Sequence, residues 1–399
     1  PDWKSYIDFV NNIVTGGLVN HMKTSLQMLA RQLDPKYIEQ HGLTPLLEIL
    51  VDLKGDSVTF LPEVGYREAT KTSSNTGLNN IIAGFINGMM GIGSAFKRLD
   101  TGDGVYNREL GDSHSIKYER SRISSLLRVT EAEANEYRES FKKFSYLWTL
   151  DLQAIFAEFL DEAINSEMVA FVDNAGPATG ASEEPSDDKP TASGDRGYWK
   201  RTTINLEMFN EKIAKYLRVQ TDVGEIKPVG EIGFLRFNAQ PVKQAISTWV
   251  TKWLYVHTQY LQEHVGTKLT DLYAFLVQVN EGLDMEVVAG DRESMMAVMT
   301  HIRDVRKRMP EISSLFEPLE GVVAMLKKNN IAIDLPPVGG QAALDFLEQA
   351  KMVWENTVNK AYRVKEALQP LQNSMLEGVR KDLKQFSIAV KKYETDFRD

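Results

Sequence analysis

The sequence predicts a mainly α protein, an elongated succession of helical bundles with one small β-hairpin in the first module. Three observations carry that expectation. Apolar residues recur at helical spacing along most of the 399 residues, one such pattern runs unbroken from Gln240 to Leu283, and only Leu47 to Leu61 joins β-prone runs through a turn-forming cluster.

The first module, 1–172, opens with an aromatic-rich helix around Trp3, Tyr6, Phe9 and Val10. After Gly16 and Gly17 a second pattern follows through Leu18, Met22, Leu26, Leu29 and Leu33, and Pro35 ends it. The hairpin lies near 47–61: Leu47 to Leu53 and Val58 to Leu61 flank Lys54, Gly55, Asp56 and Ser57. Such a hairpin is stable only when packed on other elements. Helical spacing resumes near Leu78. The uncharged stretch Ile81 to Phe96 covers 16 residues, short of the roughly 20 a membrane crossing needs. It is expected to be a buried helix, with Gly84, Gly88 and Ala95 letting a neighbour approach closely. A polar break from Asp100 to Ser115 precedes further helices through Ile123, Leu127, Phe141, Trp148 and Phe159.

Residues 173–197 hold no large apolar side chain and are dense in Gly, Pro, Ala, Ser and Asp, so they read as a disordered insert. The second module, 198–335, is expected to begin with a helix from Tyr198 through Phe209 and Leu217. A connector bearing Gly224, Pro228, Gly230 and Gly233 follows, and then the long helix 240–283. Its stripe reads Val242, Ile246, Trp249, Trp253, Val256 and Tyr260, slips one place to Leu261, and continues through Val265, Leu269, Leu272, Leu276, Val279 and Leu283. Two shorter helices pass through Met295 to Val305 and Leu315 to Leu326. Beyond Pro336, Pro337, Gly339 and Gly340, residues 336–399 are expected to form a terminal helical hairpin whose second arm, after Pro370, carries Leu371, Met375, Val379, Leu383, Phe386, Val390, Tyr393 and Phe397.

Composition narrows the function. Hydrophobic residues make up 43%, enough for a core in each module, and a net charge of −9 disfavours general binding to nucleic acid or anionic membrane. The basic runs Arg303, Arg306, Lys307, Arg308 and Arg380, Lys381, Lys384, Lys391, Lys392 read as solvated helix faces. There is no cysteine and no glycosylation sequon, which points to the cytoplasm. A start at Pro1 without a leader reads as a segment of a longer chain.

The search for chemistry returns little. Without a Gly-Lys dipeptide there is no Walker A loop, and the Gly91, Gly93, Ser94 run lacks a third glycine. His257 and His264 share a helix face with Glu263 beside them, but a third ligand at catalytic spacing is missing, so ordinary surface or inter-helix residues are expected. Trp249 and Trp253 are expected in the core rather than on a ligand platform. The acid pairs Glu183, Glu184 and Asp187, Asp188 fall in the insert, where solvation keeps them ordinary acids. No catalytic, cofactor-binding or metal-ligating residue is therefore expected, and the segment is expected not to be an enzyme.

Specific stretches carry a family resemblance. Gln240-Pro241-Val242-Lys243-Gln244-Ala245, the run from Leu269 to Lys328 with Gly282-Leu283, Gly290-Asp291 and Phe316-Glu317-Pro318-Leu319, and the run from Trp354 to Phe386 strongly resemble the tail, or stem, of a dynein heavy chain just ahead of its linker. Pro45-Leu46-Leu47, Val58 to Pro62, Ile92 to Arg98 and Tyr146-Leu147-Trp148 are similar to axonemal, outer-arm heavy chains in particular. The resemblance implies a segment of a microtubule motor of cilia and flagella, located in the cytoplasm and the axoneme, that positions the motor and transmits force. The ATPase ring, where ATP binds, and the microtubule-binding stalk would lie outside it. Implied partners are other heavy-chain tails, intermediate and light chains, and neighbouring arms or docking proteins, with no nucleic acid and no membrane. The alternative is an elongated helical scaffold or tethering subunit unrelated to motors.

Overall fold

Helix-forming spacing dominates the structure, and among the described residues the strands form two small sheets. The computed structural model describes residues 2–65, 77–99, 104–172, 196–288 and 291–398. The elements in chain order are α1 (Asp2–Leu33), α2 (Pro35–His41), β1 (Leu47–Lys54), β2 (Ser57–Leu61), α3 (Leu78–Met90), α4 (Ile92–Ala95), α5 (Asn107–Asp112), α6 (His114–Glu139), α7 (Tyr146–Thr149) and α8 (Leu152–Ala163). They continue with β3 (Ile164–Val172), β4 (Arg196–Ile204), α9 (Leu206–Gly224), β5 (Val229–Ile232), β6 (Leu235–Asn238), α10 (Gln240–Leu283), α11 (Arg292–Ser313), α12 (Phe316–Lys328) and α13 (Ala343–Arg398). The chain groups into two compact units, Pro1–Ile155 with Tyr216–Trp253, and Phe156–Lys215 with Leu254–Asp399.

In the first unit α1 runs straight through Gly16 and Gly17, so one helix stands where two were expected. Leu18, Met22, Leu26, Ala30 and Leu33 form its buried stripe, and α6 answers with Ile116, Ile123, Leu127 and Ala134. Each fully buried leucine in such a stripe stabilises by about 1.5–3 kcal/mol. Pro35 stops α1 and starts α2 at once: its missing N–H is harmless at a helix start, and the Asp34 side chain accepts from the Lys36 amide at 3.1 Å.

The hairpin forms where the sequence places it, with Lys54 paired to Ser57 across Gly55, which sits at φ +60°. It does not stand alone. The expected connector at 229–238 is a second hairpin, and β6 pairs parallel to β1, giving a four-stranded sheet in the order β2-β1-β6-β5. Ile49 and Val51 point to its buried face, where Phe60 and Phe237 meet at 5.2 Å and the Tyr137 ring of α6 packs tilted against Phe237 at 5.5 Å. The Arg138 guanidinium lies over Phe60 and donates to Glu63 at 2.8 Å. The ammonium of Lys243 donates to the Gly224 and Ile226 carbonyls, each at 2.7 Å, closing the end of α9.

The expectation of a buried helix at 81–96 is half met. Leu78, Ile82 and Ile86 are buried, whereas Ile81 and Phe85 face outward. A Cβ on Gly84 or Gly88 would meet nothing; the glycine that permits close approach is Gly93, hard against Asn107 and Leu110 of α5. Residues 107–112 of the expected polar break are themselves helical, because Leu110 turns inward and is fully buried.

In the second unit β3 and β4 pair antiparallel from Ile164–Ile204 to Val172–Arg196. A helix from Tyr198 was expected, but strand pairing extends to Ile204 and the helix begins at Leu206. Of the expected insert 173–197, residues 173–195 lie outside the described residues, and 196–197 belong to β4.

The helix α10 has the bounds the spacing predicts and contributes Leu254–Leu283 to this unit. Leu261, Val265, Leu269, Leu272, Leu276 and Val279 are buried, with Met295, Val298, Ile302 and Val305 of α11 and Phe346, Leu347, Ala350 and Trp354 of α13. Two glycines set the spacing. A Cβ on Gly282 would overlap the His301 ring, and Gly339, at φ +59°, has the Tyr273 ring against its Cα. The expected terminal hairpin is absent: α13 is one helix of 56 residues with Pro370 inside it. Pro370 and Glu366 are both exposed, so water can satisfy the carbonyl that the missing N–H leaves open.

Candidate functional surfaces

The titratable residues singled out in the sequence take structural positions. His257 is 2% exposed, with ring centres 5.0 Å from Phe156 and 5.2 Å from Phe159. Phe159 and Phe209 meet edge to face at 4.8 Å, and Phe209 stacks on Tyr260 at 5.9 Å. This is an aromatic cluster built round an imidazole. Seven residues on, His264 is half-buried; desolvation first, and the Lys268 charge second, hold its pKa below the ordinary 6.5. Glu263 is exposed and accepts from the Gln259 amide at 2.7 Å. Among the described residues no group of three or more His, Cys, Asp or Glu side chains could hold a metal ion. Glu183, Glu184, Asp187 and Asp188 lie outside the described residues.

The two tryptophans separate. Trp253 is 1% exposed; its indole N–H donates to the Leu147 carbonyl at 2.8 Å, and its ring stacks on Tyr216 at 5.5 Å. Burial, reinforced by Tyr146, pushes the Tyr216 hydroxyl up to about 12. Trp249 is only half-buried, with the Lys252 ammonium 4.3 Å above its ring. The buried face of α10 runs through Ile246, Val250, Trp253, His257, Leu261 and Val265, not through Trp249 and Val256. Because the buried stripe passes through the imidazole of His257, apolar spacing alone breaks there, which accounts for the apparent slip at Tyr260.

A groove of about 530 Å³ lies between α10 and the extended segment after α12, lined by Gln259, Gln262, Glu263, Asp271, Asp334 and Pro336 among others. Its central polar groups are occupied in holding that segment. Gln262 donates to the Ala332 carbonyl at 3.1 Å and accepts from the Asp334 amide at 2.9 Å. On α11, Asp291 caps the helix by accepting from the Glu293 and Ser294 amides, and hydrogen bonding to Ser294 lowers its pKa.

Large apolar side chains are left open on many elements, with the longest runs on α1 and α13. In the first unit, Trp3, Tyr6, Phe9 and Ile13 of α1 are exposed, with Trp3 and Tyr6 stacked at 5.8 Å, and Ile81 and Phe85 of α3 are exposed as well. In the second unit the open residues include Leu376, Val379, Leu383, Phe386, Ile388, Val390 and Tyr393 of α13. No helix among the described residues is long and apolar enough to cross a membrane.

Comparison with known proteins returns relatives over almost the whole chain. It is 27% identical over 424 residues to the dynein beta chain of the flagellar outer arm of Chlamydomonas reinhardtii, covering 99% of this chain and 8% of that protein. It is 27% identical over 400 residues to the human dynein axonemal heavy chain 17, and 24% identical over 401 residues to the ciliary dynein beta chain of Tripneustes gratilla, with the same shares covered. The chain thus spans about 8% of the length of the relatives it matches. No family model matches it.

Proposed function

We propose that this chain is a structural segment of an axonemal dynein heavy chain, a premise taken from homologues that are axonemal dynein heavy chains, outer-arm beta chains among them, across 99% of its length. In this reading it is part of the stem just ahead of the linker, in a microtubule motor of the ciliary or flagellar axoneme. It holds the motor in place and passes force between that motor and whatever the stem is anchored to, while ATP turnover belongs to other parts of the heavy chain. The homology favours this over a helical tether unrelated to motors.

The helical architecture supports the reading physically. A stem under tension needs load shared over many packed side chains, and the buried stripes of α10, α11 and α13 supply such sharing in the second unit. The glycine notch at Gly282 brings α10 and α11 together closely enough that sliding one past the other would require repacking His301. Assembly with other dynein components follows from the same homology. Other heavy-chain tails, intermediate and light chains and neighbouring arms are the partners we assign to the open faces of α1, α3 and α13.

An antibody raised against the purified segment tests the assignment. It should decorate isolated axonemes and leave them with the outer arms on salt extraction; staining confined to the cell body or to vesicles would refute it. The purified segment should also show no ATP hydrolysis above buffer, and turnover abolished by a point substitution within it would refute the non-catalytic role.

A further inference from the structure

One position on the core face of the four-stranded sheet carries no side chain. In the register of β5 with β6, Gly230 lies opposite Phe237, which is fully buried and packs against the Tyr137 ring. Opposed residues of neighbouring strands share a face, so a side chain at 230 would point to the same side as Phe237. Glycine supplies none, and a Cβ built there would meet nothing within 4 Å. A hollow of about 280 Å³ opens at that place, lined by Tyr137, Phe141, Phe144, Ile226 and Gly230 among others. A glycine inside a strand weakens it, and often marks a place where a ligand or another backbone comes close.

The strand beside the hollow is an edge. β5 ends the order β2-β1-β6-β5, and among the described residues no strand lies on its other side. Residues of an antiparallel ladder alternate between those bonded to the partner strand and those whose N–H and C=O turn away from it. The Ala239 amide donates to the Pro228 carbonyl at 2.8 Å, so residues 228, 230 and 232 face β6, while Val229 and Glu231 turn their backbone groups to the open side. Both of these residues are exposed. Such a row of donors and acceptors is met in register by another extended chain.

A second copy of β5 fits poorly. Paired antiparallel about Gly230 it brings glycine to glycine and leaves the hollow unfilled, and shifted one way it offers only the short ring of Pro228. Shifted the other way, so that Ile232 of the copy stands opposite Gly230, it sets Glu231 directly against Glu231.

We propose that the open edge of β5 takes an extended segment of a partner protein as an added strand, with one large aromatic or aliphatic side chain of that segment opposite Gly230 and seated in the hollow over Tyr137 and Phe141. The inference goes beyond the stem assignment and does not rest on it.

The test uses the full 399-residue chain and labelled threonine peptides of about nine residues. One carries Trp at its centre, a second Ala in that place, and a third the same Trp with alternate backbone nitrogens methylated. The Trp peptide should bind at least about tenfold tighter than the Ala peptide, and methylation should abolish binding by removing the donors to the Val229 and Glu231 carbonyls. Bound peptide should slow hydrogen exchange of the Val229 and Glu231 amides by at least about tenfold. Gly230→Val fills the hollow from β5 itself, so it should erase the advantage of Trp over Ala; a β-branched residue suits a strand, so the variant should melt no lower than wild type. Equal affinity for the Trp and Ala peptides, a Trp advantage that survives Gly230→Val, binding that survives methylation, or no binding at about 100 μM would overturn the proposal. So would unchanged exchange at Val229 and Glu231, or concentration-dependent self-association that Gly230→Val abolishes, because the occupant would then be a second copy.

Discussion

Replacing Trp253 by alanine is the most informative single change, because burial, a ring stack and a hydrogen bond converge on that side chain. It is 1% exposed, it stacks on Tyr216 at 5.5 Å, and its N–H satisfies the Leu147 carbonyl at 2.8 Å. Truncating a buried tryptophan costs about 3–5 kcal/mol, part of it for the cavity and part for the stranded carbonyl. In a unit of roughly 190 residues each kcal/mol moves Tm by about 2–4 °C, so the variant should melt about 6–20 °C lower. Trp253→Phe keeps the ring but leaves the carbonyl unpaired, and should cost about 1–3 kcal/mol. Trp249→Ala, four residues away and half-buried, should cost no more than about 1 kcal/mol. Calorimetry on the three variants checks the order. If Trp249→Ala and Trp253→Ala lower Tm equally, or Trp253→Ala moves it by less than about 2 °C, the burial assigned to α10 is wrong.

Three further outcomes follow from positions already described. His264, held below 6.5 in the folded chain, leaves the unfolded state binding the extra proton, so stability should fall as pH drops through 6.5 toward the lower folded value; His264→Gln should flatten that stretch of a denaturation-against-pH curve. Tyr216 is shifted the other way, from 10.0 to about 12, so its contribution is complete below pH 10 and lost as pH rises toward 12; absorbance titration of wild type against Tyr216→Phe should remove one late-titrating phenol. Gly282→Ala should destabilise by about 1–3 kcal/mol through overlap with His301, and adding His301→Ala should recover most of the loss in a double-mutant cycle; additive losses would mean the two do not meet.

What the sequence made visible was local, and what it hid was either long-range or solvent-dependent. The bounds of α10 and the β1–β2 turn follow from repeat and turn chemistry within a few residues, and both stand as expected. The β5–β6 hairpin was masked by Pro228, Gly230 and Gly233, which read equally well as a connector, and nothing nearby announces that β6 will lie beside β1. The strand β4 lies where helical spacing, continued back from Leu206 through Tyr198, predicts the start of a helix. Pro370 predicts a helix stop, but on an open face a lost backbone bond costs little once water takes the carbonyl. For the functional surfaces, apolar spacing marked the helices but put Trp249 and Val256 on the buried face of α10 and could not say which part of α13 would remain uncovered. The exposed half of α13 looks no different in sequence from its buried half.

The parallel pairing of β1 with β6 also orders events during synthesis. Glu48 receives its hydrogen bond from Asn238, 190 residues later in the chain. At translation rates of about 5–20 residues per second, the early strand leaves the ribosome some 10–40 s before its neighbour exists. During that interval Ile49 and Val51 sit on an unzipped edge, open to strand-to-strand aggregation on crowded polysomes. Nascent chains paused before residue 235 should therefore recruit chaperones that release chains paused well beyond residue 253.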